Sequence, residues 1–288
     1  MTTIAIVGTG RMGSAYAKRL IESGYDVTVW NRTPSRTSAA AEAGAEVAPD
    51  LATVTAAGTI LISLTDAAAV EAATSELIHA GISGKLVVDL STLLPDETRA
   101  IAEQVTAAGA DFVDCPVGGT VGPALKGQLL GMAGGTDAAF ARAKPVLETL
   151  CRRVEHLGPA GTGAQMKLAV NLPLAIYWNT LAEALTLLEG SGISAGTAIS
   201  LIADSSAGPT VLKNRAQVVV DTLDGTDQPG TFDIAGLAKD LELALRQAAL
   251  TGRPMPLSEE SRKSYSEALA AGLGRFDGAS LTRHLTGA

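Results

Sequence analysis

Hydrophobic and polar positions follow two different periods along the chain. In the first half, short apolar runs with the length of buried strands alternate with stretches whose apolar residues recur at helical spacing. The strand-like runs are residues 4–7, 26–30, 59–64, 86–90 and 111–114. The helical stretches are residues 12–23, 34–43 and 95–108. This alternation predicts an α/β domain, a doubly wound parallel sheet covered by helices on both faces.

The pattern changes near residue 160. A cluster of helix-breaking residues at 158–163 is followed by a long helical pattern at 164–188, which would be roughly 40 Å long at 1.5 Å per residue. Further helices are predicted at 195–202, 236–249 and 258–271, with a loop at 224–230 and no strand signal. We therefore predict two domains, an α/β domain over 1–160 and an all-α domain over 161–288 that includes the long inter-domain helix.

Composition narrows the possible partners. Hydrophobic residues make up 47% of the 288 residues and charged residues 18%, enough to build a substantial core. The net charge of −8 argues against nucleic acid or an anionic membrane as the main partner. The two cysteines show neither a disulfide framework nor a metal-ligand spacing, so we expect no metal and a reducing, cytoplasmic location. The N-terminal residues lack the features of a signal peptide, and the longest apolar run is interrupted by polar residues, so we expect no leader and no membrane span.

A glycine-rich turn follows the first predicted strand. The stretch Gly8-Thr9-Gly10-Arg11-Met12-Gly13 fits the pattern G-x-G-x-x-G between a strand and a helix. The first glycine permits the tight turn, the second lets the backbone approach a pyrophosphate, and the third lets helix and strand pack closely. The helix start adds unpaired N–H groups and a positive dipole end. These six residues are therefore predicted to bind a dinucleotide.

The end of the second strand selects the form of the nucleotide. An acidic residue there would bind a ribose 2′-hydroxyl, but the chain has Asn31-Arg32-Thr33, with Arg36 close behind. A guanidinium pairs with a 2′-phosphate, whereas a carboxylate repels it. We therefore predict NADP(H), bound by Arg32 with help from Asn31 and Thr33.

One lysine lies in the most apolar helical stretch of the chain. Lys167 and Asn171 are one turn apart and share a helix face, and Leu174 and Trp178 continue the same stripe. Such a stripe resembles one wall of a small-molecule pocket, with the lysine as proton donor to a carbonyl. The alternative is a lysine that snorkels from a helix end, and this stretch by itself does not decide between the two. None of the three histidines lies in a catalytic motif.

Polar residues follow two further predicted strands. Ser91 and Thr92 come directly after the strand at 86–90, at a carboxyl end, where α/β sheets bind ligands. Gly118, Gly119 and Thr120 follow the strand at 111–114, and their backbone N–H groups are suited to hold a carboxylate.

Taken together, these motifs resemble the β-hydroxyacid dehydrogenase family, which includes 3-hydroxyisobutyrate dehydrogenase and glyoxylate/succinic semialdehyde reductases and is related to imine reductases. The resemblance runs nearly end to end. Its motifs are Gly8-x-Gly10-x-Met12-Gly13, Trp30-Asn31-Arg32-Thr33, Asp89-x-Ser91-Thr92, Asp114-x-Pro116-Val117-x-Gly119, Gly161-x-Gly163-Ala164-x-x-Lys167-x-x-x-Asn171, Glu183, and Phe232 with Lys239-Asp240.

The resemblance implies a role for each motif. It implies an NADP-binding Rossmann domain, then a helical substrate and dimerisation domain like that of 6-phosphogluconate dehydrogenase, in a homodimer or tetramer. Lys167 would be the catalytic acid/base and Asn171 would position the substrate. The other implied contacts are Leu64, Thr92 and Lys239 to the cofactor, and Ser91, Thr92, Gly118, Gly119, Thr120, Leu174 and Trp178 to the substrate. The family usually has a serine where this chain has Gly118, so one hydroxyl donor to a substrate carboxylate is missing.

Three functions are consistent with these residues. The first is an NADPH-dependent reductase of a small aldehyde or keto acid, with Lys167 as proton donor. The second is an imine reductase, favoured by Gly118 and Trp178 and disfavoured by Lys167 and Asn171. The third is a non-catalytic NADPH-binding module, which the retained lysine disfavours.

Overall fold

The computed structural model describes residues 3–287 and divides into two compact units, one ending at Lys167 and the other beginning at Leu168. Met1 and Thr2, part of the N-terminal stretch without signal-peptide features, lie outside the described residues. The strands are β1 (Thr3–Val7), β2 (Asp26–Trp30), β3 (Glu46–Val47), β4 (Thr59–Ile62), β5 (Leu86–Asp89), β6 (Asp111–Asp114), β7 (Val117–Gly118), β8 (Leu129–Gly135) and β9 (Cys151–His156). The helices of the first unit are α1 (Arg11–Glu22), a 3₁₀ turn (Pro34–Thr37), α2 (Ser38–Glu42), α3 (Leu51–Val54), α4 (Ala67–Ala80), α5 (Pro95–Ala107), α6 (Val121–Leu125) and α7 (Asp137–Leu150).

The sheet of the first unit has the order β3-β2-β1-β4-β5-β6-β8-β7, with β9 pairing to β8. Neighbours from β3 to β6 run parallel. Alternate residues of β1 enter two separate hydrophobic clusters, Ile4 and Ile6 in one and Ala5 and Val7 in the other. A strand sends successive side chains to opposite faces, so both faces of this sheet are covered. The predicted doubly wound α/β fold is confirmed.

The far end of the sheet contains an antiparallel part that the sequence pattern did not predict. β8 runs antiparallel to both β6 and β7, and no strand was predicted there. Its sequence is LLGMAGG, without the β-branched residues that mark a strand. The glycines have a packing reason, because a Cβ at Gly131 would lie 3.2 Å from the sulfurs of both Cys115 and Cys151. Strand β9 was missed for another reason, since CRRVEH is mostly polar and exposed.

The second unit is helical. Its helices are α8 (Thr162–Thr186), whose first six residues belong to the first unit, then α9 (Ala195–Asp204), α10 (Thr210–Leu223), α11 (Ile234–Leu250), α12 (Pro256–Ala270), a 3₁₀ turn (Leu273–Arg275) and α13 (Ser280–Thr286). The predicted helices correspond to α8, α9, α11 and α12, whereas α10 and α13 were not predicted. The predicted domain boundary at residue 160 stays a prediction.

Aromatic side chains anchor the core of this unit. The Tyr265 hydroxyl is buried and donates to the Ala175 carbonyl of α8 at 2.8 Å. Trp178 packs in the same core, where a Cβ at Gly278 would lie 2.5 Å from its Nε1. Among residues 3–287, no helix is both long enough and apolar enough to cross a membrane.

Candidate functional site

The glycine-rich turn joins β1 to α1. Gly8 has φ +98°, and a Cβ there would overlap the Ser63 carbonyl oxygen. A Cβ at Gly13 would overlap the Gly8 carbonyl oxygen, whereas nothing lies within 4 Å of the position of a Gly10 Cβ. Gly8 and Gly13 therefore build the turn, and Gly10 leaves open space at the start of α1. The first turn of α1 has no acidic residue. This arrangement fits the pyrophosphate of a dinucleotide.

The Asn31 side chain ties this turn to the end of β2. Its Oδ1 accepts from the Thr9 N–H at 3.1 Å, and its Nδ2 donates to the Thr33 carbonyl at 2.9 Å. Arg32 and Arg36 are exposed, and the Arg32 guanidinium forms no hydrogen bond or ion pair within residues 3–287. Asn31 thus shapes the turn, and Arg32 is available to a ligand phosphate.

A second hydrogen-bonded chain aligns the ends of β4 and β5. The Ser91 hydroxyl accepts from the Leu64 N–H at 3.0 Å, and the Ser91 N–H donates to the buried Asp89 carboxylate at 2.9 Å. Leu64 and Thr92 are half-buried beside this chain. The structure therefore brings Leu64 and Ser91 together and uses the serine to hold two strand ends in register.

The residues expected to hold a substrate carboxylate lie between β7 and α6. Gly118 ends β7, Gly119 is exposed with φ +120°, and Thr120 is the N-cap of α6. A Cβ at Gly118 would meet Leu130 at 3.5 Å, an ordinary contact, so this position has room for a side chain. By contrast, the positive φ of Gly119 favours glycine.

Lys167 is buried near the start of α8, with 8% of its surface exposed. Asp114, at the end of β6, holds that start. Its Oδ1 accepts from the Gly161 N–H and its Oδ2 from the Ala164 N–H, both at 2.8 Å. Burial raises the pKa of Asp114 to about 6, against the opposing effect of these backbone donors. Asp114 was noted in the sequence only as part of a motif, because its partners lie about 50 residues away.

Asn171 follows Lys167 by one turn of α8 and is buried in the helical unit. Its Nδ2 donates to the Asp240 carboxylate at 2.5 Å, and the Lys239 Nζ lies 3.7 Å from the other oxygen of Asp240. Sequence reasoning assigned no role to Asp240, although the Lys239-Asp240 pair was part of the motif set.

The remaining predicted wall residues differ in exposure. Leu174 is half-buried, and Trp178 is only 2% exposed, packed in the core of the helical unit. Their contact with a substrate stays a prediction.

The histidines have local partners. The His156 ring stacks on Phe140 and its Nε2 lies 2.9 Å from the Gly135 carbonyl oxygen. The Nδ1 of His79 lies 2.7 Å from a carbonyl oxygen of its own helix, and His284 is half-buried on α13. Residues 3–287 contain no group of three or more His, Cys, Asp or Glu side chains that could hold a metal ion.

The fold and the glycine turn define a dinucleotide-binding protein, and comparison with known proteins identifies its family as one of oxidoreductases. A family model described as the NAD binding domain of 6-phosphogluconate dehydrogenase matches residues 3–158. A second, described as NAD-binding of NADP-dependent 3-hydroxyisobutyrate dehydrogenase, matches residues 161–285. The chain belongs to the β-hydroxyacid dehydrogenase family of NAD(P)-dependent enzymes.

Individual relatives resemble the chain over nearly its whole length. Glyoxylate/succinic semialdehyde reductase 1 of Arabidopsis thaliana is 30% identical over 95% of both chains. The structure of Mycobacterium tuberculosis 3-hydroxyisobutyrate dehydrogenase with L-serine is 29% identical, with a TM-score of 0.89 over 99% of both chains. An imine reductase from Pseudomonas sp., 24% identical with a TM-score of 0.63 over 98% of both chains, shares the fold.

Proposed function

We propose that the protein is an NADPH-dependent reductase of small aldehydes or keto acids, with Lys167 as the proton donor. The observation that carries this proposal is the burial of the Lys167 side chain. Lysine side chains are rarely buried, and Lys167 shares a face of α8 with the buried Asn171, one turn away. The family resemblance implies this arrangement for a proton donor beside a residue that positions the substrate. When bound, NADPH supplies the hydride that adds to the carbonyl carbon.

The protein's own residues would act on the oxygen. As the carbonyl carbon gains hydride, negative charge develops on the oxygen, and Lys167 Nζ donates a proton to give the alcohol and a neutral amine. Solvent then reprotonates the amine. Asn171 would orient the substrate, itself held by the Asp240 carboxylate. Backbone N–H groups at Gly118, Gly119 and Thr120 would hold a substrate carboxylate.

The test of Lys167 is its replacement by alanine. Lys167→Ala should reduce turnover of succinic semialdehyde or glyoxylate by about 100-fold or more, since general acid catalysis contributes about 10²–10⁴-fold, while NADPH still binds. Lys18→Ala, which removes an exposed lysine from α1, is the matched control. Substantial turnover by the Lys167 variant would overturn the assignment.

The preference for NADPH over NADH is assigned to Arg32. Its support is the exposed side chain of Arg32, which follows Asn31 in the chain, and the Asn31 hydrogen bonds that tie the end of β2 to the glycine turn. Arg32→Ala should weaken NADPH binding about tenfold or more, on the scale of a charge-assisted phosphate contact, and leave NADH binding unchanged. An equal preference before and after the substitution would contradict the role.

Reduction of imines is the second candidate, and the observation that favours it is Gly118. The family usually has a serine at this position, so the chain lacks its hydroxyl, although a Cβ at Gly118 would make only an ordinary contact with Leu130. Gly118→Ser should therefore lower the KM for a carboxylate substrate. The two candidate functions are separated by comparing substrates of the wild-type enzyme. Faster turnover of a cyclic imine than of succinic semialdehyde would support the imine function, and the reverse would support the reductase function.

A homodimer through the helical unit is also proposed. That unit exposes several leucines, including Leu187 at 84%, Leu257 at 72% and Leu201 at 67%, and large exposed apolar residues favour association. Light scattering should give twice the chain mass of 29.2 kDa.

The two buried free cysteines fit a reducing compartment such as the cytoplasm.

A further inference from the structure

Helix α8 begins without a local cap. The residue before it is Gly161, which has no side chain to accept a hydrogen bond. The first N–H groups of a helix lack partners within the helix and usually need such an acceptor. Here the acceptor comes from β6, because the Asp114 carboxylate bonds the N–H groups of Gly161 and Ala164 at 2.8 Å each.

The surroundings of Asp114 leave just enough space for its carboxylate. A Cβ at Gly134 would lie 2.6 Å from Oδ1, and a Cβ at Gly163 would lie 2.7 Å from Oδ2. A side chain at either glycine would displace the carboxylate. The hydrogen bonds of Asp114 therefore depend on two glycines from other elements, Gly134 of β8 and Gly163 of α8.

Stability alone does not explain a carboxylate here. Asp114 is 1% exposed, and its burial disfavours the charged form that is present at neutral pH. A neutral acceptor would cap the helix without that cost. A charge kept where it costs folding free energy points to a role in function.

We propose that Asp114 is the positioning residue for Lys167, holding the first turn of α8 against the end of β6 so that the lysine reaches its working position. Lys167 lies three residues beyond Ala164, within one helical turn of the Asp114 hydrogen bonds. Gly118 lies four residues beyond Asp114 on the chain that leaves β6. Asp114 thus lies at the start of two segments: its carboxylate bonds the start of the helix that carries the proposed proton donor, and its own strand leads into the segment of the proposed carboxylate site. This inference rests on the proposed role of Lys167.

The variant Asp114→Asn tests the proposal in the full-length enzyme with NADPH. An amide keeps the shape but accepts only on one side, so the first turn of α8 loses one of its two bonds. We expect kcat to fall about 10- to 100-fold, since small misplacements of a catalytic group have effects of this order, with the KM for NADPH changed less than twofold. Asp111→Asn, which removes the charge of a half-buried carboxylate on the same strand paired with Arg142, should change neither.

A double-mutant cycle separates positioning of Lys167 from general damage. If Asp114 acts through the lysine, Asp114→Asn should change the single-turnover rate of Lys167→Ala less than twofold. An equal fall in both backgrounds would overturn the proposal. Full activity of Lys167→Ala alone would instead refute the proposed proton donor, so the two failures are distinguishable.

Hydrogen exchange of the wild-type holoenzyme provides a test that does not depend on whether the variant folds. The Ala164 amide should exchange far more slowly than the Val211 amide, which lies in the first turn of α10 after a Pro209 N-cap without a side-chain acceptor. Equally fast exchange of both amides would mean that Asp114 does not hold the helix, and the proposal would fail.

Discussion

The buried Asp114 carboxylate should give the α/β unit an unusual dependence of stability on pH. Its pKa rises from about 3.8 to about 6 on folding, because burial penalises the charged form. The folded protein therefore binds this proton more tightly than the unfolded chain does. The resulting stability is fully present below about pH 4 and is lost as the pH rises through about 6. Since one pKa unit corresponds to 1.36 kcal/mol, the contribution amounts to about 3 kcal/mol.

Urea unfolding between pH 4 and pH 7 measures this contribution. Other groups titrate in the same range, so the quantity to follow is the difference in unfolding free energy between wild type and Asp114→Asn. A Trp178→Phe background for both proteins leaves Trp30, in the α/β unit, as the only tryptophan. Wild type should lose about 2–2.5 kcal/mol relative to the variant between pH 4 and pH 7, the larger part of the full contribution. A flat difference, or one that increases in favour of wild type, would refute the reasoning.

Four further substitutions have contrasting expected results. Gly13→Ala should destabilise the α/β unit and abolish NADPH binding, because the new Cβ would overlap the backbone. Gly10→Ala places its Cβ in open space, so it should keep normal stability and weaken NADPH binding about tenfold. Equal stability of the two variants in thermal unfolding would contradict this. Asp240→Ala should cost about 1–3 kcal/mol and lower kcat, because it removes a buried partner of Asn171; unchanged kinetics would show that the amide is positioned otherwise. Tyr265→Phe should cost about 0.5–1.5 kcal/mol of unfolding free energy in the helical unit and leave NADPH binding unchanged.

The pattern of neighbouring residues predicted the buried strands and the glycine turn of the α/β unit. The buried strands at β1, β4 and β5 are continuous apolar runs, and the glycine turn after β1 has a spacing that only a few structures require. Strand β8 escaped prediction because its glycines are set by neighbours, Cys115 and Cys151 among them, that lie elsewhere in the chain.

The site shows the same limit. Spacing along one helix was enough to single out Lys167 and Asn171. Their supporting carboxylates were not recognised, because each acts on a residue about 50 or 70 positions away. Asp114 and Asp240 each belong to a motif of the family resemblance, but a motif does not identify the partner of a side chain, and only the folded chain shows what each one holds.

The two thiols of the protein have a practical consequence. Both lie buried in the α/β unit next to Gly131, and residues 168–288 contain no cysteine. Burial raises the pKa of Cys151 to about 12 and that of Cys115 well above its ordinary range, so neither is a reactive thiolate at neutral pH. A thiol reagent should therefore modify the protein only when the α/β unit opens. The rate of that modification measures how often the α/β unit opens, and bound cofactor should slow it. The helical unit contributes no signal because it has no cysteine.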